Sequence, residues 1–93
     1  MKRLLLPTTA FVHSAKRWTR RNPDAASDVQ ATLELLAEDA FAPKLKTHKL
    51  KGNLAGSWAC SAGYDLRLVF QFVKHKGREA ILLEAVGTHD EVY

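Results

Sequence analysis

Cysteine is almost missing from this chain of 93 residues: only Cys60 is present, so no internal disulfide can form and the core must hold without a covalent staple. A lone cysteine also favours a reducing compartment. No Cys and His spacing matches a zinc signature, since His13, His48, His75 and His89 are far apart and stand near no second cysteine. No cluster of carboxylates is present that would hold a divalent cation, so the sequence calls for no metal and no cofactor. No uncharged stretch approaches the roughly 20 residues of a membrane helix. The start, Met1-Lys2-Arg3-Leu4-Leu5-Leu6, is superficially like a short signal peptide. Pro7 breaks its apolar run and no small-residue cleavage site follows, so the expected place is the cytoplasm. Repeats, low-complexity segments and linkers are absent too, and the length suits one domain spanning 1–93.

Acidic residues are outnumbered. Fourteen Lys and Arg against ten Asp and Glu leave a net charge of +4, a balance that favours a polyanionic partner. The basic residues are also grouped. Lys44, Lys46, Lys49 and Lys51 surround His48, and Arg17, Arg20 and Arg21 close a helical segment. Such lysines can grip a phosphate backbone without reading its sequence.

The pattern of apolar residues predicts an α+β domain in the order β-α-α-β-β-β. A short strand at 3–6 ends at Pro7. Thr8 or Thr9 can cap a helix over 9–21 that lays Phe11, Val12, Ala15 and Trp18 along one face. Asn22-Pro23 restarts a second helix over 23–39, burying Val29, Leu33 and Leu36. Residues 40–53 read as irregular. Strands follow at 57–63, 66–74 and 79–86, with a turn at Lys76-Gly77. In the middle strand Leu66, Leu68, Phe70 and Phe72 alternate onto one face, and Asp65, Arg67, Val69 and Gln71 onto the other. The two helices should therefore form a hairpin packed on one face of an antiparallel sheet.

The chain ends unusually. Gly87-Thr88-His89-Asp90-Glu91-Val92-Tyr93 crowds polar and titratable groups directly after an apolar run at 80–86. Chain ends are ordinarily where disorder concentrates; groups carried off a core strand are instead held at a sheet edge. An imidazole such as that of His89 can give a proton to a leaving oxygen near neutral pH. His48 can take one from an attacking hydroxyl or contact RNA. The Arg67 guanidinium can clamp two oxygens of a pentacoordinate phosphate. Asp65 can orient a histidine or act as base, and Tyr93 can stack on a splayed base or bond the phosphate. Trp58 fits either the core or a base-stacking role; Trp18 and Cys60 fit the core.

Three segments in this order, His48-Lys49-Leu50-Lys51-Gly52, Tyr64-Asp65-Leu66-Arg67-Leu68-Val69-Phe70 and Gly87-Thr88-His89-Asp90-Glu91-Val92-Tyr93, resemble the RelE/ParE toxin superfamily, most closely its YafQ-like branch. The resemblance implies a RelE-like fold. It also implies a toxin of a type II toxin–antitoxin pair that cleaves messenger RNA on the ribosome by 2′-hydroxyl attack, and a cognate antitoxin as protein partner. It places His48, Asp65, His89 and Tyr93 at the branch's functional positions, and Arg67 at the arginine of the wider RelE group's central strand. Two departures stand out. Ser61 replaces a further histidine of the YafQ-like pattern, and Trp58 and Cys60 stand where RelE carries lysines. A non-catalytic alternative therefore remains open, either a ParE-like gyrase inhibitor or a degenerate toxin that only binds its antitoxin; the pair His48 and His89 argues against the first and Ser61 keeps the second.

Overall fold

A computed structural model describes residues 2–63 and 65–92. In chain order its elements are β1 (Leu4–Pro7), α1 (Thr9–Arg21), α2 (Pro23–Glu38), β2 (His48–Lys49), β3 (Trp58–Ser61), β4 (Leu66–His75), β5 (Arg78–Thr88) and a closing turn of helix, α3 (His89–Val92). Short 3₁₀ turns at Pro43–Leu45 and Gly52–Leu54 flank β2. The fold is α+β, and the β-α-α-β-β-β frame read from the sequence is present.

The sheet runs β1-β5-β4-β3-β2. Strands β3 to β5 pair antiparallel, as expected, and β2 joins β3 in the same way. The first strand joins β5 in parallel, with Leu4 opposite Ala80 and Pro7 opposite Leu83, so the sheet is mixed. Parallel pairing follows from the connection: a chain that leaves β1, crosses one face as two helices and returns can bring a later strand alongside in the same direction. β1 runs one residue later than the 3–6 expected, because Pro7 needs no N–H at the last position of an edge strand. β2 is new, a two-residue strand inside the segment read as irregular; its polar sequence carries no alternation to signal it. Strand β3 is shorter than 57–63, and β5 longer than 79–86 by two residues at its end.

Leu66, Leu68 and Phe70 are buried beneath the helices, and Phe72 is half-buried at the rim of the same cluster. Phe11, Val29 and Leu36 reach them from α1 and α2. Side chains of this size, fully shielded as Leu68, Phe70 and Ile81 are, each contribute about 1.5–3 kcal/mol. Val12, expected on the inner face of α1, is instead 36% exposed, and Ser14 takes the buried place. Trp58 belongs with the core side: its ring meets Phe41 and Phe72 edge-on at 5.6 and 5.1 Å. Cys60 is fully buried, and burial pushes its thiol up to about 12 while the nearby Arg67 guanidinium pulls the other way.

Simple alternation fails once in β5. Phe70 pairs with Leu83 and Val69 with Ala85, leaving Glu84 as the extra residue of a bulge. The bulge lets Leu83 and Val86, three residues apart, both join the core. Outside it, the Glu84 carboxylate accepts the Ser57 hydroxyl at 2.7 Å and the Gln71 amide at 3.2 Å.

α1 is fixed to β5 at its start and in its middle. Thr8 caps the helix, accepting the Phe11 N–H at 3.1 Å, while its hydroxyl donates to the Leu83 carbonyl at 2.8 Å. Beyond Leu83 the parallel partner has ended, so β5 loses its neighbour on that side. There the Val86 N–H donates to the Ser14 hydroxyl oxygen at 3.1 Å, and that hydroxyl donates onward to the Phe11 carbonyl at 3.0 Å. One side-chain oxygen thus does what a strand would otherwise do. Ser14→Ala leaves a buried N–H without its acceptor and should cost about 1–3 kcal/mol, read as a lower urea midpoint at unchanged slope. An unchanged midpoint would mean that the Val86 N–H is satisfied some other way.

Candidate functional site

The turn that joins β3 to β4 sets the site. It closes with the Ala62 N–H donating to the Leu66 carbonyl at 2.8 Å. Of its described residues, Gly63 at +116° and Asp65 at +57° have positive φ. A glycine suits the first: any Cβ there would stand 3.2 Å from the Asp28 Oδ2 of α2. Aspartate is among the few side chains that tolerate the second. Asp65 is therefore placed by the turn and exposed, not by the strand that the sequence assigned it to.

From this turn the register fixes the neighbours. Arg67 lies opposite Ser61 on one side and Gly87 on the other, and Leu66 lies opposite Thr88. His89 is the next residue after Thr88. Asp65, Arg67 and His89 are thus all within two residues of one cross-strand pair, at one corner of the sheet. Arg67 is half-buried and its Nη1 donates to the Leu66 carbonyl at 3.1 Å, which steadies the guanidinium close to the strand.

His48 stands elsewhere. It pairs with Ala59, which pairs with Val69, so it occupies the same sheet face as Arg67 but two strands and two residues away. Ordinary strand spacings make that about 12 Å between Cα atoms. His48 and His89 lie on opposite sides of the Ser61–Arg67 row. The His48 Nδ1 is 2.9 Å from the Lys46 carbonyl. A carbonyl only accepts, so Nδ1 carries the proton and the neutral ring keeps its lone pair on Nε2. His89 has its Nδ1 3.6 Å from the Asp90 carboxylate, an ion pair when the ring is charged, and well screened because both groups are exposed.

A cleft of about 540 Å³ opens where β2 stops and the edge of β3 is left uncovered. Lys44 and Lys46 line it from the first 3₁₀ turn and the residue after it, Ser61, Asp65 and Arg67 from β3, β4 and their turn, and Asp28 and Thr32 from α2. Asp28 and Thr32 were not singled out in the sequence, although their spacing of four places them on one helix face. The lysine run divides. Lys44 and Lys46 line the cleft, whereas Lys49 lies over the Trp58 ring at 5.5 Å and Lys51 is exposed ahead of the second 3₁₀ turn. Tyr93 lies outside the described residues. Among the described residues no group of three or more His, Cys, Asp or Glu is placed to hold a metal ion, and no helix is long and apolar enough to cross a membrane.

Past His89 the chain is tied down. The Glu91 carboxylate accepts the Thr88 N–H at 3.0 Å and the Trp18 indole N–H at 3.1 Å, and the Glu91 N–H donates back to the Thr88 hydroxyl at 3.3 Å. The Thr88 backbone N–H above all, then the Trp18 indole, the Thr88 side chain and the charge of Arg17, hold the Glu91 carboxyl below the usual carboxylate range.

A sequence model of the family described as "Bacterial toxin of type II toxin-antitoxin system, YafQ" matches residues 3–93. No curated protein sequence matches the chain. Among solved structures, YafQ from E. coli strain BL21(DE3) is similar over 99% of each chain with a TM-score of 0.79 and 15% identity. The E. coli DinJ-YafQ complex gives 0.78 and 18% over 99% of each chain. A metal-bound toxin from Helicobacter pylori gives 0.71 and 27% over the whole of both chains.

A carboxylate held below its ordinary value of 4.5 contributes in full above that value and loses its contribution as pH falls through the lowered one. The indole N–H resonance of Trp18 should therefore move toward its solvent-exposed position in an acid titration with a midpoint below 4.5. A midpoint above it, or no movement, would contradict the Glu91–Trp18 bond.

Proposed function

The chain belongs to the YafQ family of bacterial toxins of type II toxin–antitoxin systems, and from that premise we propose that it is a metal-independent endoribonuclease that cleaves messenger RNA on the ribosome. The observation that carries the reading is the register. It sets Arg67 in a row of the sheet with His48 on one side along the strands and His89 on the other, beside a cleft lined by Lys44 and Lys46. An in-line displacement at phosphorus wants that order: a base at the attacking oxygen, a cation at the equatorial oxygens and an acid at the leaving oxygen.

In the proposed reaction the Nε2 lone pair of His48 takes the proton of the 2′-hydroxyl, and that oxygen attacks the adjacent phosphorus. Arg67 balances the charge on the non-bridging oxygens. The bond to the 5′-oxygen breaks as His89 delivers a proton to it, giving a 2′,3′-cyclic phosphate and a 5′-hydroxyl. Asp65, exposed at the turn beside them, orients His89. Tyr93, the last residue of the motif, is proposed to stack on a displaced base. Lys44 and Lys46 hold the RNA backbone in the cleft, and Lys49 and Lys51 extend the positive surface toward ribosomal RNA. Every group in this scheme is a side chain, so the scheme calls for no metal. The open, shallow cleft orients a substrate poorly by itself; the ribosome supplies the orientation. By kinship with the DinJ-YafQ pair, the partner that silences the protein is a cognate antitoxin docking on the basic surface.

Ser61 favours one competing reading. It faces Arg67 across the sheet where the family pattern has a histidine, so a chain that binds its antitoxin but no longer cuts RNA fits the same fold. Single-turnover cleavage on programmed ribosomes separates the two. His89→Ala and Arg67→Ala should each lower the cleavage rate by about 10²–10³ with folding intact. A message with a 2′-deoxy sugar at the scissile position should resist cleavage, and a chelator should have no effect. Cleavage of the deoxy message at full rate would refute the mechanism, and a wild-type chain that never cleaves would leave the non-cutting reading.

A further inference from the structure

The bonds at residues 88–91 form a reciprocal capping box. Thr88 and Glu91 each use a side chain to satisfy the other's backbone N–H, as a Thr-x-x-Glu sequence permits at the start of a helix. Alone, such a box on a four-residue turn at the chain end would be weak, because so short a helix cannot sustain itself. The second partner changes that. The same Glu91 oxygen that caps the turn also accepts the indole N–H of Trp18, seventy-three residues earlier on α1. Trp18 is packed against the core and cannot swing freely. Gly87 closes the arrangement from below: an added Cβ would lie 3.1 Å from Glu91 Oε1 and 3.2 Å from Val92 Cγ1, tighter than most Cβ contacts, so the turn is seated directly on the β5 backbone and would have to give way.

We infer that Glu91 is a positioning residue: its carboxylate, shared between the Thr88 N–H and the Trp18 indole, fixes the helical turn that carries His89 and so sets where that imidazole stands relative to Arg67. The inference rests on the cleavage reading for its consequence, but the anchoring is a property of the folded chain alone. It also gives physical sense to the whole terminal motif. Glycine permits the close approach, threonine caps, His89 is displayed, and Glu91 locks. Asp90, fully exposed beside His89, takes no part in the lock.

The consequence is kinetic rather than structural. Glu91 is exposed and touches neither the cleft nor the lysines that line it, so its loss leaves RNA binding in place. A displaced acid costs rate, and a misplacement of about 1 Å is worth up to about 10². Glu91→Ala should lower kcat on ribosomes about 10- to 100-fold with KM unchanged. Glutamine offers the same carbonyl-type acceptor to both N–H groups, so Glu91→Gln should recover most of the rate. Trp18→Phe, which keeps the ring and removes the donor, should show a smaller loss, and Gly87→Ala should reproduce Glu91→Ala by pushing the turn outward. Alongside, the His89 ring resonances and the amide exchange of residues 88–92 should change in Glu91→Ala, Trp18→Phe and Gly87→Ala and be preserved in Glu91→Gln. Unchanged exchange and His89 resonances in Glu91→Ala would overturn the anchoring outright. Changed exchange with full kcat would overturn the positioning role. Should wild type prove inactive on RNA, the cleavage reading falls, and exchange alone decides whether Glu91 holds the turn.

Discussion

The edge of β5 beyond Leu83 is where this fold is most constrained. β1 is four residues long and its pairing ends there. A strand continuing into the site past that point would carry unpaired N–H groups on one side, which a buried sheet cannot leave unsatisfied. α1 and its cap fill the gap with three side chains in succession: the Thr8 hydroxyl donates to the Leu83 carbonyl, the Ser14 hydroxyl oxygen accepts the Val86 N–H, and the Trp18 indole donates to the Glu91 carboxylate. The helix is thereby pinned along the strand, and the strand can run on to Thr88 and deliver the terminal motif beside β4. Polar residues on the inner side of an amphipathic helix usually signal a defect in the apolar stripe. Ser14 is here because a backbone donor needs it.

Much of the frame was legible in the chain. Leu66, Leu68 and Phe70 alternate without interruption, and a strand of that pattern has only one side to bury. Thr8 and Asn22-Pro23 mark the starts of the helices closely, although Asn22 makes no side-chain cap bond and works through Pro23 alone. What escaped reading had physical causes. The direction of β1 depends on the connection through two helices, which leaves no trace in four apolar residues. β2 is too short and too polar for periodicity to reveal. The bulge at Glu84 hides inside an apolar run, where its shift of phase changes no residue type. Val12 and Ser14 were exchanged because hydrophobicity alone ranks valine as the inner residue, and only the backbone of β5 explains the reverse.

The site was partly legible for a different reason. Its residues are unusual where they stand: a histidine directly off a core strand, an aspartate ahead of an arginine at a strand's start, lysines around another histidine. Their mutual arrangement was not readable, since it depends on registers. Those registers gather Asp65, Arg67 and His89 at one corner and hold His48 two strands away on the same face, with the lysines split between the cleft and the Trp58 ring. Asp65 proved to be a turn residue, and its positive φ is a sufficient reason for an aspartate to be there whatever else it does. Thr88-x-x-Glu91 was present as a capping signature all along, but the indole that gives it purchase lies at the other end of the sequence.

The proposed chemistry makes one claim that no other arrangement of these residues would share, namely that the attacking oxygen comes from the substrate itself. The chemical ends of the cleaved message test it directly. Mass spectrometry of the fragments should find a 2′,3′-cyclic phosphate, or the phosphate formed when it opens, on the upstream piece, and a free 5′-hydroxyl on the downstream piece. A 3′-hydroxyl facing a 5′-phosphate would show that water attacked instead, and would contradict the roles given to His48, Arg67 and His89.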